Sequence, residues 1–146
     1  MLREAMMKKV LVPVDGSPGS IHAAQCASVI AKGDPDTKLL ILNVQTAFER
    51  RFTHGLNNSS ARRELRNRGE LETAQIRKAL DHCGCCYDFM VVYGRPADVI
   101  ARTAEAMDCS EIIMGSRGMG PVRRALLGSV GDDVVRATRV PVTRVT

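Results

Sequence analysis

The chain has 146 residues, enough for one compact domain with a single buried core. It carries 21 Lys and Arg against 16 Asp and Glu, a formal charge of +5 that points first to an anionic partner; yet aromatics are only 3% and Trp is absent, which argues against a base-stacking platform for nucleic acid. No apolar run approaches the roughly 18 residues of a membrane helix, and 25% charged residues with a mean hydropathy of -0.09 describe a folded soluble domain, not a disordered one.

Residues 1–7 contain no apolar segment of a signal peptide. They read as a disordered or start-site extension ahead of a domain that fills the chain to residue 146, and the expected location is the cytoplasm. Five cysteines, an odd number, do not make a disulfide scaffold and fit a reducing compartment.

From there, strand-like and helix-like stretches alternate. Val10 to Val14 is a β-branched apolar run, and Asp15-Gly16-Ser17-Pro18 ends it with a helix start: Ser17 as N-cap, Pro18 in the first turn. The helix to about Lys32 carries Ile21, Ala24, Ala27, Ser28 and Ala31 on one side, small enough to lie close to a sheet. Leu39 to Val44 reads as a second buried strand. A polar stretch follows, then one long helix from about Ala61 to Cys83, closed by Gly84. Tyr87 to Tyr93 is a third strand. Arg95-Pro96 opens a helix whose apolar face is Val99, Ile100, Thr103, Ala104 and Met107. Glu111 to Met114 is a fourth strand, residues 115–128 a glycine-rich loop, Ser129 to Thr138 a fourth helix, and Val140 to Val145 a last strand. Such alternation implies a parallel sheet covered by helices on both faces.

The loop from Gly115 to Ser129 is the most informative segment. It leaves a strand and enters a helix, it is punctuated by glycines, and it holds three arginines and no acid. Glycines admit close backbone N–H groups, and a helix start adds a positive dipole end, so the pattern suits a phosphate. The plainer alternative is a flexible connection with a capped helix. The loop is neither a Walker loop, since Pro121-Val122 stands where Lys-Ser or Lys-Thr is needed, nor a dinucleotide fingerprint, since Arg123 stands where the last glycine is needed.

Gly115-x-x-Gly118, nine residues, then Gly128-Ser129 resembles the ATP-binding motif of the universal stress proteins. The resemblance extends to Lys9 through Ser17, to Ile113 through Gly118, to Leu126 through Val130 and to Val140-Pro141-Val142. It implies an open five-stranded parallel α/β sheet in the order 3-2-1-4-5, Rossmann-like and similar to the adenine nucleotide alpha hydrolases. It also implies a role for each matching residue. Pro13, Val14, Asp15 and Val44 would serve the nucleoside, with Asp15 near the ribose or base and Val44 on the adenine. Gly115, Gly118, Gly128, Ser129 and Val130 would form the phosphate cradle, with Ser116 and Arg117 lining the same loop. The implied ligand is ATP, AMP or ADP, with Mg²⁺ held in part by Asp15, and the implied role is a stress-responsive nucleotide binder with little or slow hydrolysis. Family members commonly form homodimers through the last strand. Here Thr143 and Arg144 make that strand more polar than usual, and Gly131-Asp132-Asp133 is a second departure.

No catalytic constellation accompanies the loop. His22, His54 and His82 are scattered, and neither a His-Glu-x-x-His nor a Gly-x-Ser-x-Gly motif is present. Two other features compete for a function. Cys83 and Cys86 have metal or redox spacing beside His82, against the plainer reading of a helix end and strand start that use cysteine. Arg50, Arg51, Arg62, Arg63, Arg66 and Arg68 oppose only Glu64 within residues 50–68, which reads as a solvated helix face, as a surface for an acidic protein or lipid, or as a nucleic-acid contact. The net charge is therefore local: two basic patches on an otherwise slightly acidic chain.

Overall fold

The computed structural model describes residues 6–46, 59–116 and 130–146. In chain order the elements are β1 (Lys8–Pro13), α1 (Pro18–Gly33), β2 (Thr37–Gln45), α2 (Ser59–Glu72), α3 (Ala74–Cys83), β3 (Tyr87–Tyr93), α4 (Pro96–Ala106) and β4 (Glu111–Gly115). A helix over 130–137 (α5) and β5 (Val142–Val145) complete it. The five strands form one sheet in the order β3-β2-β1-β4-β5, and every neighbouring pair is parallel. This is the order that the resemblance implied.

The alternation of side chains along each strand builds two cores. Val10, Val12, Val14, Leu39, Ile41 and Ile113 pack on one face with the alanines of α1 and with Ile76 and Leu80 of α3. Leu11, Leu40, Leu42, Ile112 and Met114 pack on the other with Val99, Ile100 and Ala104 of α4 and Val134 of α5. Each of these larger side chains contributes about 1.5–3 kcal/mol by leaving water.

Three expectations need correction. The long helix is two helices that meet at Thr73. The Thr73 hydroxyl is buried and donates to the Gly69 carbonyl at 2.6 Å, and Arg77 Nη2 donates to the Glu70 carbonyl at 2.7 Å. Both side chains thus take up carbonyls at the end of α2, where the chain bends. Met107 does not join the apolar face of α4. It follows the helix as its C-cap and is exposed, while Ala101 is buried instead. β5 starts at Val142, two residues later than expected, after the Pro141 carbonyl has accepted from the Ile112 amide.

Candidate functional site

β1 is the centre of the sheet, with β2 on one side and β4 on the other. The chain runs outward in opposite senses from this pair, and in such sheets the crevice beyond the carboxyl ends is the place for a ligand. Here the pairing of β1 with β4 ends short of a proline. Lys8 and Val14 donate their amides toward the β2 side, to Asp36 and Leu42, each at 2.8 Å. Strand alternation therefore puts position 13 on the β4 side, and Pro13 has no N–H to give. The paired register of β1 with β4 stops at Leu11 and Ile112, whereas with β2 it continues to Pro13 and Leu42.

Asp15 follows at once. Its Oδ1 accepts from the Ser17 amide at 2.9 Å, its own amide donates to Ser20 Oγ at 3.2 Å, and Ser17 Oγ accepts from the Ser20 amide at 3.2 Å to cap α1. Three short polar side chains thus fix the turn. Asp15 is half-buried, and Oδ2 takes no hydrogen bond from a described residue. Gly16 turns the chain with φ +81°, a conformation that favours glycine. The Val14 side chain faces the core at 3% exposed, and its carbonyl accepts from Asn43 Nδ2 at 2.9 Å. Val44 is half-buried against the α4 side of the core.

Across the crevice, β4 ends at Gly115 against the first turn of α1. A Cβ there would stand 2.7 Å from both the carbonyl carbon and oxygen of Gly19. So Gly115 is needed for the approach of two backbones, whatever else it does. The Ser116 amide is already used, donating to the Val145 carbonyl at 2.9 Å. Its hydroxyl is different: Ser116 Oγ is buried and has no partner among the described residues. A buried hydroxyl without a partner costs about 1–3 kcal/mol, so a group that satisfies it is stabilised there. Val130 is half-buried at the start of α5. Arg117, Gly118, Gly128 and Ser129 lie outside the described residues. The structure thus brings Pro13, Val14 and Asp15 to the mouth with Gly115 and Ser116.

The departures noted near the C-terminus belong together. Arg144 Nη2 reaches Asp132 Oδ1 at 2.7 Å, and its guanidinium lies where a Cβ on Gly131 would be, 2.6 Å away. Thr143 Oγ1 donates to Glu111 Oε1 at 2.8 Å. Both side chains are engaged within this chain.

The other two features singled out in the sequence lie on α2 and at the α3–β3 connection. Cys83 and Cys86 are exposed, while Cys85 turns inward, with Sγ 3.6 Å from the Ser28 carbonyl. Burial first, and Cys83 beside it second, push the Cys85 thiol above its ordinary range, which disfavours the reactive thiolate. No three His, Cys, Asp or Glu side chains gather to hold a metal among the described residues. On α2, Arg66 pairs with Glu70 at 3.3 Å and Arg68 with Glu64 at 3.8 Å, which breaks up the basic face. Arg50, Arg51 and His54 lie outside the described residues. No helix among those described is long and apolar enough to cross a membrane.

Comparison with known proteins agrees on one family. The sequence model of the Universal stress protein family matches residues 6–146. Universal stress protein MJ0531 of Methanocaldococcus jannaschii is 29% identical over 140 residues, covering 95% of this chain and 82% of that protein. Among solved structures, MJ0577 of the same organism has a TM-score of 0.75 at 27% identity and 96% coverage of both chains. A universal stress protein in complex with cAMP has a TM-score of 0.72 at 22% identity, covering 97% of this chain and 98% of the other. A family protein from Arabidopsis thaliana with AMP bound has a TM-score of 0.63 at 19% identity, covering 94% and 90%.

Proposed function

The chain belongs to the universal stress protein family, and on that premise we propose that it binds an adenine nucleotide across the carboxyl ends of β1 and β4. The observation that carries the reading is the buried Ser116 hydroxyl, which has no partner among the described residues, directly after the carboxyl end of β4. A phosphate oxygen would accept from it. Cyclic AMP and AMP in two structures of the same fold support adenosine as the common part of the ligand.

In this reading Asp15 accepts from the nucleoside with the oxygen its turn leaves free. Pro13 and Val44 flank it, and Val14 acts from below by fixing the turn. The phosphates lie toward Ser116 and the segment 115–130, with Gly118, Gly128, Ser129 and Val130 as the cradle and Arg117 beside it. ATP is the nucleotide we assign, with Asp15 as the group that would share in holding Mg²⁺. The segment lacks a Walker lysine and its sequence carries no acid or histidine to orient water, so hydrolysis is slow at most. The role is that of a nucleotide-responsive protein in the stress response, in the cytoplasm, as a homodimer through β5. Chromatography with light scattering checks the last point: a monomer at micromolar concentration contradicts it.

Mass spectrometry of small molecules released from the purified protein tests the central reading, with an adenine nucleotide expected. Titration calorimetry with the Ser116→Ala variant tests the site. The hydroxyl has no partner to lose among the described residues and is buried at a cost, so thermal stability should hold or rise while affinity falls about three- to tenfold. Unchanged affinity removes Ser116 from the site.

A further inference from the structure

β2 changes character at its carboxyl end. Leu39 and Ile41 face α1 and α3 as apolar residues, and the next two on that face are Asn43 and Gln45, 0% and 6% exposed. Buried amides must place all their hydrogens. Asn43 Nδ2 donates to the Val14 carbonyl at 2.9 Å and to Glu72 Oε2 at 3.4 Å. Gln45 Nε2 donates to Asn43 Oδ1 at 2.7 Å and to Glu72 Oε2 at 3.0 Å. Two buried amides thus converge on one oxygen of a carboxylate carried by the last residue of α2.

The backbone of Glu72 is held as closely. A Cβ on Gly16 would stand 2.5 Å from the Glu72 carbonyl oxygen, and Gly16 follows Asp15 directly. One turn earlier, a Cβ on Gly69 would stand 2.7 Å from Asn43 Oδ1. Glu72 itself is exposed, and Oε1 takes no hydrogen bond from a described residue. An exposed glutamate at a helix end normally samples many rotamers. Here the core fixes one oxygen, and the other is left at the ends of β1 and β2, beside the Asp15 turn.

We infer that Glu72 is a specificity-determining residue of this site, its Oε1 accepting a hydrogen bond from a donor on the nucleoside. The inference rests on the adenine-nucleotide reading above. A carboxylate only accepts, and it carries charge. It favours the exocyclic amino group of adenine or a ribose hydroxyl. It opposes a 6-oxo purine, which offers an acceptor at the same position, and it opposes phosphate. It therefore makes the nucleoside end an acceptor pole, opposite the hydroxyl donor of Ser116, and fixes which way round the nucleotide lies.

Calorimetry of the full chain with AMP, IMP, purine riboside 5′-monophosphate, and 2′- and 3′-deoxy-AMP tests this with Glu72→Ala and Glu72→Gln. Glu72→Ala should weaken AMP about tenfold and cost nothing against the analogue that lacks the contacted donor. That analogue is the purine riboside if the amino group is read, and a deoxynucleotide if the ribose is. In the first case Glu72→Gln, which keeps an acceptor for the two amides and turns an N–H outward, shifts preference from AMP toward IMP. Wild-type affinity for AMP in both variants overturns the inference, as does an equal loss for every analogue, which is the mark of a merely structural residue. A wild-type protein that binds no AMP, ATP or cAMP overturns the underlying reading instead, and this inference with it.

Discussion

At Gly115 an added Cβ would meet the Gly19 backbone, which is part of a helix start and cannot move cheaply. At Gly131 it would meet the guanidinium of Arg144, the far end of a flexible side chain. Gly115→Ala should therefore cost about 1–3 kcal/mol in denaturant unfolding. Gly131→Ala should stay within about 0.5 kcal/mol, because Arg144 can swing away and its exposed pair with Asp132 is worth little. Equal costs would contradict the packing described at β4. In the family motif, then, the first glycine has a structural reason that holds with or without ligand. Tyr87 offers a different test. Burial, and then its 2.5 Å hydrogen bond to Asp81, push its phenol from 10.0 up to about 12 in the folded chain. A raised acid of this kind contributes stability that is whole below pH 10.0 and is lost as pH rises through about 12. Wild type should thus lose stability more steeply across that window than Tyr87→Phe, and parallel curves would contradict it.

The junction of α2 and α3 is where an element does something its residues do not announce. Neither Pro nor Gly stands at Thr73, and helical spacing of Leu65, Thr73, Ile76 and Leu80 runs straight through it. The bend comes from tertiary contacts: a buried threonine, Arg77 laid 4.8 Å from the Phe89 ring centre, and Gly69 seated on Asn43 and Val91. That seating carries Glu72 to the crevice. The consequence is a prediction for Gly69→Ala. Its Cβ would come within 2.7 Å of Asn43 Oδ1 and Val91 Cγ2, so stability should fall by about 1–3 kcal/mol. Nucleotide affinity should fall with it, because the Asn43–Gln45–Glu72 cluster shifts. An unaffected affinity separates α2 from the site. In sequence, Glu72 reads as one more charged residue on a solvated helix. Only the run Ile41, Asn43, Gln45 hints at its partners, since two amides continue an apolar face. By contrast, the start of α1 was plain: Ser17 caps it and Pro18 opens it, both by local chemistry.

Across the whole molecule, alternation of strands and helices made a parallel sheet legible, because two-residue and 3.6-residue periods are local signals. The order of strands is not local, and it came with the family resemblance. The same division holds for the site. Asp15 and Gly115 could be picked out by motif, but the opening between β1 and β4 depends on which side of β1 Pro13 faces, a fact of sheet geometry. A ligand in that opening joins the two halves of the sheet, and it stabilises only the folded chain. At a hundred times its dissociation constant it adds about 2.7 kcal/mol, or roughly 5–10 °C in melting temperature for a chain of this size. Adenine nucleotides should produce that shift, and inorganic phosphate alone should not.

Hydrogen exchange with and without ATP is the decisive measurement for a nucleotide at the ends of β1 and β4, because it reports position as well as binding. Slower exchange is expected in the turn from Val14 to Ser17 and around Gly115 and Ser116, with α4 unchanged. Saturable binding with no protection in either segment would contradict a site at the ends of β1 and β4.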